Sequence, residues 1–447
     1  MRDILILATI YISVPIIFLR PWTGILVWYW VALMNPHRLA WSSTVNFYSV
    51  SALVGAAALG AFVLAKDKKN ISWDREMFLM LALAIWFTIT TFFAWVPNEA
   101  WLHWDQMMKT LLFAFLTTSL IHGRERIRAL VWVATLSIAF FGVKGGIFSI
   151  MTGGVHRIWG PAGTFIGDNN HMGLAFVITI PLIIFALKEE PKLWVRRALW
   201  VVAMLCVLSA IFTYSRGAFL GLSFVLLFAI WRTKRRWLYL STLVPIALVA
   251  VLVLAPTKLL ERWATLQTAV EEDGSAKQRL QSWSVSWNIA KRHPFGAGFR
   301  MYRMPAQRWL SYDRSGLSSL GRGFNQPRAQ HSVYFQVMSE HGLIGFGLFA
   351  ALMAGVFFRL GSLRRTAARL GDEVRWIHSY ATGLQICLGG YIVCGAFLNL
   401  AYFPLFYLYV ALTSVMRREL VAYQSKRAAV TQAPEMGVRP AWAPSGR

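Results

Sequence analysis

The chain has 447 residues, 57% of them hydrophobic and 15% aromatic, and a formal net charge of +25. Apolar stretches of about 17 or more residues recur along most of its length, long enough to cross a bilayer as helices. That pattern excludes a soluble protein. The lysines and arginines sit between the apolar runs, so the charge has a topological meaning and no nucleic-acid partner is expected.

In chain order, spans are predicted over 3–19, 22–36, 46–65, 77–96, 106–121, 127–151, 171–187, 197–214, 217–232, 237–255, 332–358, 376–396 and 400–416. The first two are short, so the count is about 12 or 13. The first run leads through "LRPW" into more apolar sequence with no small-residue cleavage site, so it reads as a span and not as a signal peptide. The expected fold class is an all-α integral membrane protein. It is a polytopic bundle of about 12 transmembrane helices with one large external loop containing amphipathic helices. The parts are helices over 1–255, the loop 256–330, helices over 331–416 and an irregular tail over 417–447.

The links "KDKKNISWDRE", "GRERIR", "KEEPKLWVRR", "RTKRR" and "RLGSLRRTAARLGDEVR" hold twenty Lys and Arg. The alternate short links are nearly bare: "PNEAWLHWD" has none, 152–170 has only Arg157, and 215–217 has only Arg216. The positive-inside rule makes the first group and the tail cytoplasmic, and places the second group outside with loop 256–330. That loop carries twelve basic and five acidic residues. Its first half reads as one or two amphipathic helices ending at Pro294 and Gly296. A basic, aromatic surface facing a bilayer suits an anionic amphiphile, or non-specific contact with anionic lipid.

Charges at a membrane edge are functional candidates by default. His331 stands at the start of the span 332–358. Helix-end amides and Arg328, three residues upstream, both disfavour imidazolium, so a neutral ring able to accept a proton is expected. The competing reading is an ordinary interfacial histidine. On a regular helix Gly342 lies about 20° around from His331 and Gly345 about 40° to the other side, a small-residue groove for a neighbouring helix. Glu340 points the opposite way, and Lys144 lies at similar depth, so a Lys144–Glu340 pair is expected. Arg216, in "YSRG", is an arginine at an external helix start; it wants an anion such as phosphate, unless it snorkels to headgroups. Arg279, in "KQRLQSW", is a third candidate or an ordinary amphipathic-helix arginine. The link "HRIWGPAGTFIGDNNHMG" adds Arg157 and Asp168, the latter also a candidate helix cap.

Cys206, Cys387 and Cys394 fall inside predicted spans and read as core residues. No Walker-type loop indicates ATP. No set of external carboxylates assembles a metal site, and the run Glu271–Glu272–Asp273 reads as a solvated turn. No metal and no cofactor are expected. A bound diphosphate would be offset by arginine and helix dipoles.

These residues resemble the bacterial O-antigen ligases and the superfamily they share with O-antigen polymerases and protein O-oligosaccharyltransferases. "HSVYFQVMSEHGLIG" carries the family's His, then Asn, Ser or Gln, then nine residues, then Gly-x-x-Gly, as His331, Ser332, Gly342 and Gly345. "YSRG" resembles its short arginine motif, and "QRLQSWSVSWNIAKRHPFGAGF" its loop segment before a PxxGxG turn. "GPAGTFIGDNN" is similar to ligase-like proteins of exosortase-linked O-glycosylation systems. The resemblance implies a multi-pass protein of the bacterial inner membrane with a periplasmic active site. It implies transfer of a glycan from undecaprenyl diphosphate to lipid A–core without ATP or metal. His331 would then be the base, or the group that positions the acceptor, and Arg216 and Arg279 would hold the diphosphate. Donor, acceptor and membrane lipids are the partners implied. A polymerase, a protein transferase or a lipid-linked glycan flippase are the alternatives.

Overall fold

The computed structural model describes residues 2–40, 50–67, 70–232 and 274–432. Among them the secondary structure is all helical. The helices are α1 (Arg2–Leu19), α2 (Trp22–Met34), α3 (Val50–Leu64), α4 (Arg75–Phe92), α5 (Pro97–Leu120), α6 (Gly123–Met151) and α7 (Asn169–Glu189). They continue with α8 (Leu193–Phe212), α9 (Arg216–Trp231), α10 (Gly274–Arg292), α11 (Ala306–Leu310), α12 (Val333–Leu370), α13 (Arg375–Gly395) and α14 (Pro404–Gln432). Of these, α4, α6, α7, α8 and α12 are long and apolar enough to cross a membrane, and α1, α2, α3 and α9 are apolar but shorter. The predicted spans 106–121, 376–396 and 400–416 fall on α5, α13 and α14. The predicted span 237–255, the start of the loop with Glu271–Asp273, and the tail beyond 432 lie outside the described residues.

Helix α7 is the centre of the bundle. It is apolar on every side, and from Met172 to Ile183 every side chain is buried, as a helix without a polar face requires. Helices α13, α8, α6 and α9 pack around it. The three cysteines are free and buried. Helix α14 runs on to Gln432, past residue 417 where an irregular tail was expected. The stretch "RRELVAYQSKRAA" is made largely of strong helix formers, which outweighs its polarity.

Ion pairs gather the basic links at one end of the bundle. Arg126 meets Asp67 at 2.6 Å, Arg124 meets Glu189 at 3.1 Å, Arg128 meets Glu190 at 2.5 Å and Arg359 meets Glu76 at 3.1 Å. The opposite end carries the links 93–96, 152–168 and 213–215 and a cap made by 274–330. The cap has a small core of its own, with Val285 and Ile289 of α10 packed on Ala297, Met301 and Trp309.

The cap grips α12 where that helix breaks. Gly342 has φ +68°, so α12 is two helices joined at a kink. The turn after α10 supplies the missing donors: the Ala297 amide bonds the Ser339 carbonyl at 2.9 Å and the Gly298 amide bonds the Glu340 carbonyl at 2.8 Å. A Cβ on Gly342 would lie 2.0 Å from the Pro294 carbonyl oxygen, so only glycine fits. The angles of a regular helix through His331 therefore do not apply: α12 begins only at Val333, and of the small-residue groove Gly342 receives the turn 294–298 while Gly345 meets Trp86 of the neighbouring helix α4. The expected Lys144–Glu340 pair does not form either. Lys144 is exposed on α6. Glu340 is fully buried, accepting from the Tyr402 hydroxyl and, at 2.9 Å, from the Arg300 amide.

Candidate functional site

His331 sits in the short link before α12 with φ 49°, a left-handed backbone uncommon for a side-chain-bearing residue. Three elements converge on it. The first is α10. Trp283 donates to the Gln330 carbonyl at 2.8 Å and stacks on Phe335 at 5.1 Å between centroids. Arg279 is one helical turn before Trp283, on the same face, so the docking that seats Trp283 aims Arg279 at His331. The second is the loop end, where Arg328 donates to the Gly323 carbonyl. The third is the start of α7, where Asp168 caps the helix, its Oδ1 accepting from the Asn170 amide at 2.6 Å and the His171 amide at 3.2 Å.

Burial, more than any single charge, lowers the His331 pKa to about 4; Arg279 and then His171 add to the effect, Asp168 opposes it, and Arg328 adds a smaller push. The expected direction holds, but its cause shifts from helix dipole and Arg328 to burial and Arg279. His331 is neutral at pH 7. Its neighbourhood also holds a carboxylate, Asp168. The Asp168 Oδ1 is occupied by two amides of the α7 start.

Arg216 is at the first position of α9, exposed, with Ser215 capping the Ala218 amide at 3.3 Å. The starts of α9 and α7 lie side by side, because a Cβ on Gly173 would be 2.6 Å from that of Ala218. Arg216 is thus on the same end of the bundle and one helix over, but is not among the main charges acting on His331. Arg157 is not among them either; its guanidinium lies over the Trp159 ring at 5.7 Å. His331, Arg279, Arg328 and Asp168 form one cluster, therefore, with Arg216 beside it and Arg157 engaged elsewhere.

Residues 200–350 match the family model described as O-antigen ligase, and residues 1–191 match a family of unknown function. Over 200–350, therefore, the chain is similar to the O-antigen ligase family. No curated protein matches the chain. The ligase segment contains Arg216, Arg279, Arg328 and His331. Asp168 and His171 come from the other matched segment, so the cluster is assembled across both.

Three features escaped the sequence reading. His171 is three residues past the Asp168 cap, the one available signal, since a cap and its third helical residue share the same mouth. A buried chain runs from Thr90 to His341 Nδ1 at 2.6 Å, from His341 Nε2 to the Tyr402 hydroxyl at 2.9 Å, and on to Glu340. If Tyr402 donates to the carboxylate, Nε2 donates to Tyr402 and Nδ1 accepts from Thr90. The third is a cavity of about 730 Å³ reaching from α2, α3 and α5 to His171, Gln336 and Tyr402.

Proposed function

We propose that the protein is an O-antigen ligase. It transfers a glycan from undecaprenyl diphosphate to a hydroxyl of lipid A–core at the periplasmic face of the inner membrane, by single displacement, without metal. The observation that carries this reading is the neutral His331 with Arg279 and Arg328 around it, inside a segment of the ligase superfamily. Arg279 and Arg216 hold the diphosphate by charge-assisted hydrogen bonds and stabilise its departure. The acceptor oxygen forms a bond to the anomeric carbon as the bond from that carbon to the phosphate oxygen breaks, with inversion. The acceptor's proton goes to His331. A sugar hydroxyl is far more basic than imidazole, so the proton moves late, once the carbon–oxygen bond is forming.

Binding tunes the base. A diphosphate beside Arg279 and Arg328 offsets the field that depresses the His331 pKa. His331 is therefore a stronger base in the complex than in the free enzyme. A covalent two-step route is disfavoured because Asp168, the carboxylate that acts on His331 among the described residues, has its Oδ1 committed to the α7 amides.

The link that places Asp168 favours one second reading, a protein or glycan acceptor with the same donor, because "GPAGTFIGDNN" belongs to that link. Reconstitution in liposomes with a lipid diphosphate–glycan and three acceptors tests both. Lipid A–core is expected to be glycosylated by the wild type, and by His331→Ala not at all although the variant inserts. Transfer only to a peptide or a free glycan replaces the ligase reading; undiminished transfer by His331→Ala removes the base.

A further inference from the structure

The cavity is graded along its length. One wall is an exposed face of α3 made of small residues, Ser51, Ala52 and Ala56, with Leu59. Leu112 and Phe113 of α5 face it, and Phe113 stacks on Trp28 at 4.2 Å between centroids. That end suits a hydrocarbon chain. The other end is polar. His37, His103 and Asn399 line it. Polar side chains along a cavity wall suit the hydroxyl or amide groups of a ligand.

Charge adds a third element. Lys109 and Arg300 are already engaged, with Asp105 at 2.6 Å and Glu99 at 3.3 Å. Arg38 is exposed, its guanidinium carbon 3.6 Å from where a Cβ on Gly163 would be, and no described acidic residue pairs with it. It is the cation best placed for an anionic group. Beyond the polar end the cavity meets His171 and Gln336. His171 acts on His331, and Gln336 is on the first turn of α12 after it. His331, Arg216 and Arg279 do not line the cavity.

We propose that this cavity is the acceptor site, and that it takes an acylated, acidic glycolipid: chain along α3, sugar hydroxyls on His37, His103 and Asn399, and the anionic group on Arg38. The inference rests on the transfer reaction proposed above. Its walls come mostly from 1–191, outside the segment matched by the ligase family. The donor-holding arginines are within that segment. A donor common to a superfamily is held by the part its members share, and the acceptor by the part they do not. The 1–191 segment, matched only to a family of unknown function, thereby acquires a role as acceptor selector.

Binding to the full chain in detergent micelles separates the two sites, with lipid A as acceptor-side probe and farnesyl diphosphate as donor-side probe. Arg38→Gln removes the charge-assisted contact, and Ala56→Trp fills the apolar end; both positions are exposed, so the fold is kept. Each is expected to weaken lipid A binding about tenfold or more and to leave farnesyl diphosphate binding unchanged. Arg279→Gln is expected to do the reverse. Unchanged lipid A binding in both cavity variants overturns the proposal, as does a loss of farnesyl diphosphate binding in their place, which would make the cavity the prenyl groove. A wild type that binds lipid A but not farnesyl diphosphate sinks the donor assignment and leaves this site standing.

Discussion

His331 combines burial, adjacent guanidinium and a left-handed backbone, and each has a measurable consequence. Its neutral form is the active one, so activity falls as pH drops through its pKa. The acid limb of kcat/KM, which reports the free enzyme, is expected near the value of about 4. The acid limb of kcat is expected higher, because bound diphosphate offsets Arg279 and Arg328. Coincident limbs would mean that no anion binds beside the ring. Arg216 poses a different question, since it stands on the neighbouring helix start. If it grips diphosphate with a planar fork, Arg216→Lys loses on the order of 10- to 100-fold in kcat/KM despite keeping its charge. A variant within about twofold of wild type would make the residue a headgroup contact.

At the scale of elements, α10 delivers Arg279 and the break in α12 delivers the surface that receives the cap. Trp283→Ala removes the stack on Phe335 and the bond to the Gln330 carbonyl. The expected cost is about 2–3 kcal/mol in a thermal unfolding assay. A purely structural role would stop there. Undocking also relieves burial of His331 and withdraws Arg279, the two largest causes of its lowered pKa. The acid limb of kcat/KM should then move up toward the ordinary histidine value, whereas Trp283→Phe, which can still stack on Phe335, should shift it less. The element boundaries show what local pattern reveals. The "PFGAGF" turn was legible as a stop for α10, because Pro and Gly end helices wherever they occur. Its second role, donating amides to Ser339 and Glu340, was not, because the carbonyls it satisfies are some forty residues away along the chain.

For the whole molecule, the ion pairs that gather the basic links at one end and the cluster at the other make topology testable. The native cysteines are buried, so background labelling by a membrane-impermeant thiol reagent should be low. Ser311→Cys on the cap is expected to label from the periplasmic side, and Lys192→Cys only after permeabilisation. The opposite result would put the cluster in the cytoplasm and remove lipid A–core as acceptor. The same organisation explains why the site spans two matched segments: α7 and α9 start side by side at Gly173 and Ala218, so residues from 1–191 and 200–350 meet there.

Sequence alone determined the helical, apolar character of the spans and the alternation of charged and bare links, and it put forward His331, Arg216 and Arg279 as the leading site candidates, with Arg157, Asp168 and Arg328 behind them. Those follow from hydropathy, charge bias and motif spacing, which are local properties of the chain. Only tertiary structure decided that Asp168 and His171 face His331, that Glu340 bonds Tyr402 and not Lys144, and that α2, α3 and α5 enclose a cavity. Each of these depends on which helix ends become neighbours. That is set by packing between segments far apart in the chain, and a helix kinked at Gly342 changes it in a way that regular helical spacing does not foresee.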